Sequence, residues 1–173
     1  MWYKYIFIFF LFYIFAVLQN GFLVHFNLFG VVPNLVFILF FLLVFFSAQK
    51  GPAWGWEIAF YAITAGFFLD IFSYTYFGAS IVILVIVGFA SKKIQSTLQE
   101  VSSNKFPLAY FLGLFLPSLI IYNVLFEIFL DKFNFAKIIA GVNLSLIAGV
   151  IYNLFIACIG FWIYKKLWPK FTK

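Results

Sequence analysis

The sequence predicts an all-α integral membrane protein, a compact bundle of six transmembrane helices with both termini in the cytoplasm. Of its 173 residues, 66% are hydrophobic and 9% are charged, and the mean hydropathy is +1.13. A soluble domain of this length cannot bury so much apolar surface, because its surface-to-volume ratio demands more polar side chains. The apolar residues form long runs, and most lysines lie at the ends of those runs. We expect residues 1–173 to form a single polytopic membrane domain.

Six apolar runs are candidate membrane spans. A helix needs about 20 mostly apolar residues to cross about 30 Å of hydrocarbon. The runs are residues 5–24, 31–48, 57–74, 79–90, 107–130 and 138–164. The first lacks a following small-residue cleavage site, so it is expected to be a retained helix rather than a signal peptide. The fourth is the weakest, since it rises only about 18 Å as a helix. It could begin earlier or continue past Lys92 and Lys93, and five spans is the alternative.

The lysines predict the orientation of the spans. With a cytoplasmic N-terminus and six crossings, nine lysines face the cytoplasm and only Lys132 and Lys137 face outside. This asymmetry follows the positive-inside rule, and all five tryptophans also fall at predicted cytoplasmic ends. The lysines form no basic stripe, so nucleic-acid binding is not expected despite a formal net charge of +6. The lysines therefore predict that both termini face the cytoplasm, with the lipid bilayer as solvent for the spans.

The sequence contains no recognisable catalytic or cofactor-binding set. Its one histidine, His25, lies at the outer end of the first span without a Ser/Cys/Asp set around it. The phosphate-binding pattern GxxxxGK[ST] does not occur. Metal ligands are not clustered along the chain. A non-enzymatic protein without cofactor or metal is therefore predicted.

Polar side chains inside the predicted spans are the candidate functional groups. Asp70 closes an apolar run in the third span, and Asn123 and Glu127 lie one turn apart in the fifth. Burying a carboxylate in a membrane costs a few kcal/mol or more, with insertion scales giving about 2.5–3.5 kcal/mol. Both carboxylates should therefore face the bundle interior or the outer interface. Two interpretations of Asp70 stay open. It caps the chain break before the fourth span together with Ser73 and Gly78, or it belongs to a polar cleft that opens outward.

Small residues recur at every fourth position of the sixth span. Small side chains let helix backbones approach each other in lipid. Such a stripe serves either internal packing of the bundle or docking of another protein's membrane helix. The stripe consists of Gly141, Ser145, Gly149, Asn153 and Ala157.

The segment 91–106 carries a second helical pattern. Ile94, Leu98 and Val101 fall on one face, with polar residues between them. A cytoplasmic extension of the fourth span that rests on the lipid headgroups is one interpretation. A docking surface for a cytoplasmic partner is the other.

Several residues between 30 and 90 follow a family pattern. Pro33-Asn34-Leu35 is similar to a proline–Asp/Asn–leucine start of helix two, and Gly51 and Gly55 match glycines before helix three. A glycine, a leucine–aspartate pair, a serine and a second glycine then follow in order, at Gly66, Leu69, Asp70, Ser73 and Gly78. In this order and spacing the chain resembles the rod-shape-determining MreD family. Tyr76-Phe77 stands where that family usually has proline-leucine, which leaves the shape of the turn before Gly78 open.

The resemblance implies a non-enzymatic inner-membrane component of the bacterial cell-elongation machinery, which synthesises peptidoglycan. The implied partners are a single-span MreC-like protein, the MreB filament and a glycosyltransferase/transpeptidase pair. The implied fold resembles the substrate-binding subunits of energy-coupling-factor vitamin transporters, and such a subunit is the alternative function. Those subunits carry an alanine stripe on helix one, where this chain has Ala16 alone, and a vitamin site needs several convergent polar groups. Lipid flipping with Asp70 and Glu127 is a third interpretation.

Overall fold

The computed structural model describes residues 2–27, 30–47, 54–73, 76–102, 107–130 and 144–167. These ranges contain helices and turns and no β-strand. A π-helical turn, Leu18–Phe22, and a 3₁₀ turn, Leu23–Phe26, extend the first helix. The helices are α1 (Trp2–Val17), α2 (Leu35–Phe46), α3 (Trp54–Ser73), α4 (Ala79–Ser102), α5 (Pro107–Leu130) and α6 (Leu144–Leu167).

Five segments of the described chain are long and apolar enough to cross a membrane, by length and composition. They are Tyr3–Phe26, Gly55–Phe72, Ala79–Thr97, Pro107–Phe129 and Ile147–Lys166. The remaining helix, α2, is apolar but has only 12 residues. The prediction of an all-helical, multi-pass architecture is confirmed, whereas the count of six crossings stays a prediction.

The short helix is the second, not the fourth, so the prediction that the fourth span is the weakest was wrong. α4 has 24 residues and continues well past Lys92 and Lys93. The reason is local, because no glycine or proline interrupts the sequence between Gly88 and Pro107. In the second apolar run, by contrast, the helix begins only after Asn34 and ends before Ser47, whose backbone is extended.

Helix α2 is the centre of the bundle. Its residues 35–44 are all buried, which is the expected environment for a helix that is hydrophobic on every side. Aromatic side chains from α5 and α6 pack around it. Phe41 contacts Phe115 with ring centroids 5.2 Å apart, and Phe45 contacts Phe111 at 5.1 Å and Phe161 at 6.4 Å. The high phenylalanine content therefore supplies a continuous aromatic core.

The helices place polar contacts at two opposite ends of the bundle. The lysine end is defined by Lys4, Glu57, Lys92 and Tyr164, and the Asp70 end by Gln19, Asn34, Asp70 and Asn153. At the lysine end, an ion pair of 2.9 Å joins the starts of α1 and α3, and the Tyr164 ring stacks on Phe46 with centroids 4.4 Å apart. The described N- and C-terminal helices thus have their outer termini at the same end.

Helices α3 and α4 form a tightly packed antiparallel hairpin. A Cβ on Gly66 would lie 2.5 Å from the Ile81 Cα, which no real side chain permits. A Cβ on Gly88 would lie 2.8 Å from a methyl carbon of Ile58. A Cβ on Gly55 would meet no atom closer than 3.8 Å, so packing does not require a glycine there. Gly51 lies outside the described residues. Of these glycines, Gly66 is the one that fixes the distance between the two backbones.

Candidate functional site: a polar cluster at the Asp70 end

Asp70 caps the start of α4 from the end of α3. Its side chain is 4% exposed. One carboxylate oxygen accepts a hydrogen bond from the Gly78 N–H at 2.6 Å, and the other accepts one from the Ser80 N–H at 3.0 Å. The first N–H groups of a helix have no intrahelical acceptor and carry partial positive charge. The buried carboxylate therefore satisfies the helix terminus, and the terminus compensates its charge.

The turn that joins the two helices depends on Gly78, whose φ of +98° belongs to the left-handed region. The Tyr76 carbonyl accepts a hydrogen bond from the Ala79 N–H, and the Gly78 carbonyl accepts one from Val82 N–H, both at 3.1 Å. Tyr76 and Phe77 are 63% and 68% exposed at the tip of this turn. The interpretation that Asp70 caps the chain break together with Gly78 is thus correct. Leu69 is buried beneath the cap, and Ser73 ends α3 with a side chain outside the described set.

Three amide side chains satisfy the start of α2. The Asn34 Oδ1 accepts a hydrogen bond from the Phe37 N–H at 2.9 Å, as an N-cap, with Pro33 buried before it. The Asn34 N–H donates to the Asn153 Oδ1 at 2.8 Å, and Gln19 Oε1 accepts from the Val36 N–H at 3.3 Å. Helices α1 and α6 therefore both supply caps to the central helix.

Tyr122 of α5 completes the cluster. Its side chain is 5% exposed, and its hydroxyl lies near the side chains of Ser80 and Asn34 and within range of the Asp70 charge. The Ser80 hydroxyl is fully buried and has no hydrogen-bond partner among the described residues, so the approach of Tyr122 falls short of hydrogen-bond geometry. The polar cluster is defined as Gln19, Asn34, Asp70, Ser80, Tyr122 and Asn153. Four of its members lie in α3 to α6, Gln19 lies in the turn that extends α1, and Asn34 is the N-cap of α2.

A matching set of caps at the lysine end was missed by sequence reasoning. Lys92 is 3% exposed, and its Nζ donates hydrogen bonds to the carbonyls of Val44 at 3.0 Å and Ser47 at 2.8 Å. The Gln95 Nε2 donates to the carbonyl of Phe45 at 3.0 Å. These contacts satisfy the end of α2, where a cation is also favoured by the helix dipole. The three-residue spacing places Lys92 and Gln95 on one face of a helix, but it does not show that this face meets the end of α2.

The outward face of α4 beside these caps is mixed, because Lys93, Ser96 and Thr97 are exposed there together with Ile94. Ile94 is 47% exposed, whereas Lys92 and Gln95 face the bundle. The side chains of Leu98 and Val101 lie outside the described set. The segment Ala79–Thr97, which contains Ile94, is long and apolar enough to cross a membrane, by length and composition.

The small residues of α6 pack inside the bundle. Gly149, Asn153 and Ala157 are all buried, and a Cβ on Gly149 would lie 3.0 Å from a methyl carbon of Val31. Internal packing is thus the correct interpretation for these members, and docking of another helix on them was the wrong one. Ser145 belongs to α6 with its side chain outside the described set, and Gly141 lies outside the described residues.

The carboxylates of Asp70 and Glu127 do not converge. Glu127 is exposed and Asn123 is half-buried, and neither forms a hydrogen bond or ion pair with another described residue. Tyr122 points into the bundle, and five residues correspond to about 140° around an α-helix, so Glu127 faces away from the cluster. Lipid flipping by the two carboxylates acting together loses its geometric basis. His25 is exposed in its 3₁₀ turn.

Two shallow concavities lie on the flanks of the bundle, one between α1 and α3 and one at the end of α6, and neither includes a residue of the polar cluster. No group of three His, Cys, Asp or Glu side chains that could hold a metal ion occurs in the described ranges. The sequence matches no protein-family model, and no characterised protein or solved structure compared with it matches either. Function must therefore be argued from the residues of this chain.

Proposed function

We propose that the chain is a non-enzymatic component of the bacterial cell-elongation machinery. One observation carries the proposal. Three of the residues through which the sequence resembles the MreD family determine the geometry of the α3–α4 hairpin: Gly66 permits the close approach, Asp70 caps α4 and Gly78 forms the turn. A fourth, Asn34, caps the start of α2.

The proposed topology is six crossings of the cytoplasmic membrane, with both termini in the cytoplasm. The alternating helix directions support it, as does the excess of lysines on the predicted cytoplasmic side. Single cysteines in place of Lys105 and Lys132, in a Cys158→Ala background, test it with a membrane-impermeant maleimide. Labelling of residue 132 but not residue 105 in intact cells is expected. The reverse pattern would overturn the orientation, and labelling of both would overturn the number of crossings.

We further propose that the hairpin tip is the surface for a single-span, MreC-like partner. Tyr76 and Phe77 are large aromatic side chains that remain exposed, and aromatic residues are the usual anchors of protein interfaces. The Asp70 cap and the Gly78 turn hold this tip in one conformation, which lowers the entropic cost of binding. The MreB filament and the glycosyltransferase/transpeptidase pair would be reached through this partner or directly.

Affinity purification of the tagged protein from native membranes in mild detergent tests the function. Recovery of a single-span MreC-like protein with cell-wall synthases or MreB is expected. Recovery of an ATPase pair with a membrane coupling subunit would instead identify a transporter. The matched variants Asp70→Asn and Glu127→Gln each neutralise one carboxylate, but only Asp70 holds the hairpin. Unchanged partner recovery and cell shape in Asp70→Asn would refute the role of the hairpin.

No observation in the described structure favours the vitamin-transporter alternative. A small-molecule site needs a concave surface with a few converging polar groups. The side chains of Asn34, Asp70 and Asn153 bond instead to backbone groups. The resemblance to energy-coupling-factor subunits thus stays a proposal about helix arrangement, not about substrate binding.

A further inference from the structure

At the lysine end of the bundle, α6 ends in a basic surface beside an exposed tryptophan. Lys165 and Lys166 lie in the last turn of α6, and both are exposed. Neither forms an ion pair or hydrogen bond with another described residue. Trp162 is 61% exposed and lies one turn earlier. Together with Ile163, these side chains line a shallow concavity of about 400 Å³. A ligand on this surface would meet two free ammonium groups and one indole ring.

An apolar strip leads along α6 to this basic surface. Phe155 and Ile159 are 64% and 45% exposed, and with Trp162 and Lys166 they follow the three- and four-residue spacing of one helix face. The eleven residues from Phe155 to Lys166 correspond to a rise of about 16 Å. One leaflet of the hydrocarbon core is about 15 Å thick. The strip therefore has the length of a lipid acyl chain, with positive charge at its headgroup end.

No acidic side chain described at this end of the bundle pairs with Lys165 or Lys166. At the lysine end, Glu57 is the one acidic residue whose side chain is described, and it is bonded to Lys4 on α1. The ammonium group of Lys92 is used by the carbonyls of α2. The charges of Lys165 and Lys166 are thus available to an anion from outside the chain.

We propose that the end of α6 binds an anionic phospholipid. The phosphate lies against Lys165 and Lys166, the indole of Trp162 lies at headgroup depth, and an acyl chain runs along Ile159 and Phe155. The requirement for negative charge and a chain-length apolar strip together favours a lipid over an acidic peptide or a soluble anion. This binding would anchor the C-terminal helix at the membrane surface that carries most of the lysines.

Native mass spectrometry of the detergent-solubilised protein tests the proposal. The protein is titrated with phosphatidylglycerol and with phosphatidylcholine of the same acyl chains. A preference for phosphatidylglycerol is expected, and Lys165→Gln or Lys166→Gln should each weaken it about fivefold, since a lysine near an anionic lipid surface contributes about 1 kcal/mol. Lys93→Gln is the matched control, because it removes one exposed charge from α4 and should leave the preference unchanged.

Three outcomes would overturn the site. Equal binding of both lipids would remove the requirement for negative charge. An equal loss in Lys93→Gln and Lys166→Gln would indicate diffuse attraction to the whole basic end. Displacement of the lipid by millimolar inorganic phosphate would identify a soluble anion as the ligand. Retained folding of each variant is checked by its elution volume in size-exclusion chromatography.

Discussion

Replacing Gly66 by alanine tests whether the close approach of α3 and α4 is required for stability. The new Cβ would lie 2.5 Å from the Ile81 Cα and 2.6 Å from the Ile81 N, whereas ordinary contacts begin near 3.4 Å. Both atoms belong to the backbone, so no side-chain rotation can relieve the overlap. Helix α4 would have to move by about 0.9 Å at this position. Such a shift would also stretch the hydrogen bonds from Gly78 and Ser80 to Asp70.

The expected loss follows from two opposing effects. Overpacking a filled interior costs about 1–3 kcal/mol. Alanine recovers about 0.8–1.0 kcal/mol of helix propensity relative to glycine. We therefore expect the free energy of unfolding of Gly66→Ala to fall by about 1–2 kcal/mol. The cap at Asp70 is expected to weaken at the same time, because α4 carries both of its donors.

Two other glycines provide matched controls. A Cβ on Gly113 of α5 meets no atom within 4 Å, so Gly113→Ala should be neutral or stabilising by up to about 1 kcal/mol. A Cβ on Gly88 meets side-chain atoms of Ile58 and Phe40 at 2.8 Å and 3.0 Å, so Gly88→Ala should fall between the two. Unfolding in mixed micelles is measured by titration with sodium dodecyl sulfate. Equal stability of Gly66→Ala and Gly113→Ala would refute the packing argument.

The three remaining predictions concern the helix caps, and the same titration measures each of them. In Asp70→Asn the free energy of unfolding should fall by about 1–3 kcal/mol, because an amide offers one acceptor oxygen for two buried N–H groups. In Glu127→Gln it should stay within about 0.5 kcal/mol of the unmodified protein, and equal losses in the two variants would contradict the cap. Lys92→Met should lower the free energy of unfolding by about 1–2 kcal/mol, because the Val44 and Ser47 carbonyls lose the ammonium donor. A Lys92→Met variant as stable as Lys93→Met would exclude that role. Asn153→Leu should lower the free energy of unfolding by about 1–3 kcal/mol and speed amide hydrogen exchange at the start of α2. Unchanged exchange there would show that another acceptor replaces the Asn153 amide oxygen.

The helical membrane architecture was predictable because it depends on composition and run length. The lengths of individual helices were not, since hydropathy reports where apolar residues lie and not where a helix ends. The apolar run 31–48 looked longer than α2 is, because Asn34 and Ser47 limit the helix inside it. The run 79–90 looked too short, because α4 continues through polar residues, of which Ser91, Lys92 and Gln95 face the protein.

The Asp70 contact was within reach of sequence reasoning and the Lys92 contact was not. Asp70 lies shortly before a glycine at a break between helices, and such a carboxylate has few uses besides a cap. Lys92 follows an apolar run, where lysines usually mark the cytoplasmic end of a span. Its inward orientation depends on the position of the end of α2, which lies 45 and more residues away in sequence. Only the tertiary arrangement brings the two together.

The short central helix explains three of the four buried ionisable or amide side chains described in this apolar bundle, those of Lys92, Gln95 and Asn153. Twelve residues rise about 18 Å, so at least one end of α2 lies inside a hydrocarbon core of about 30 Å. Backbone groups at that depth cannot be satisfied by water and need partners from the protein. Neighbouring helices supply them, through Gln19, Lys92, Gln95 and Asn153. Ionisable and amide groups inside a membrane usually suggest a transport pathway. Here they are used by helix termini, which favours a function at the surface of the bundle, at the hairpin tip and the end of α6, over passage of a substrate through it.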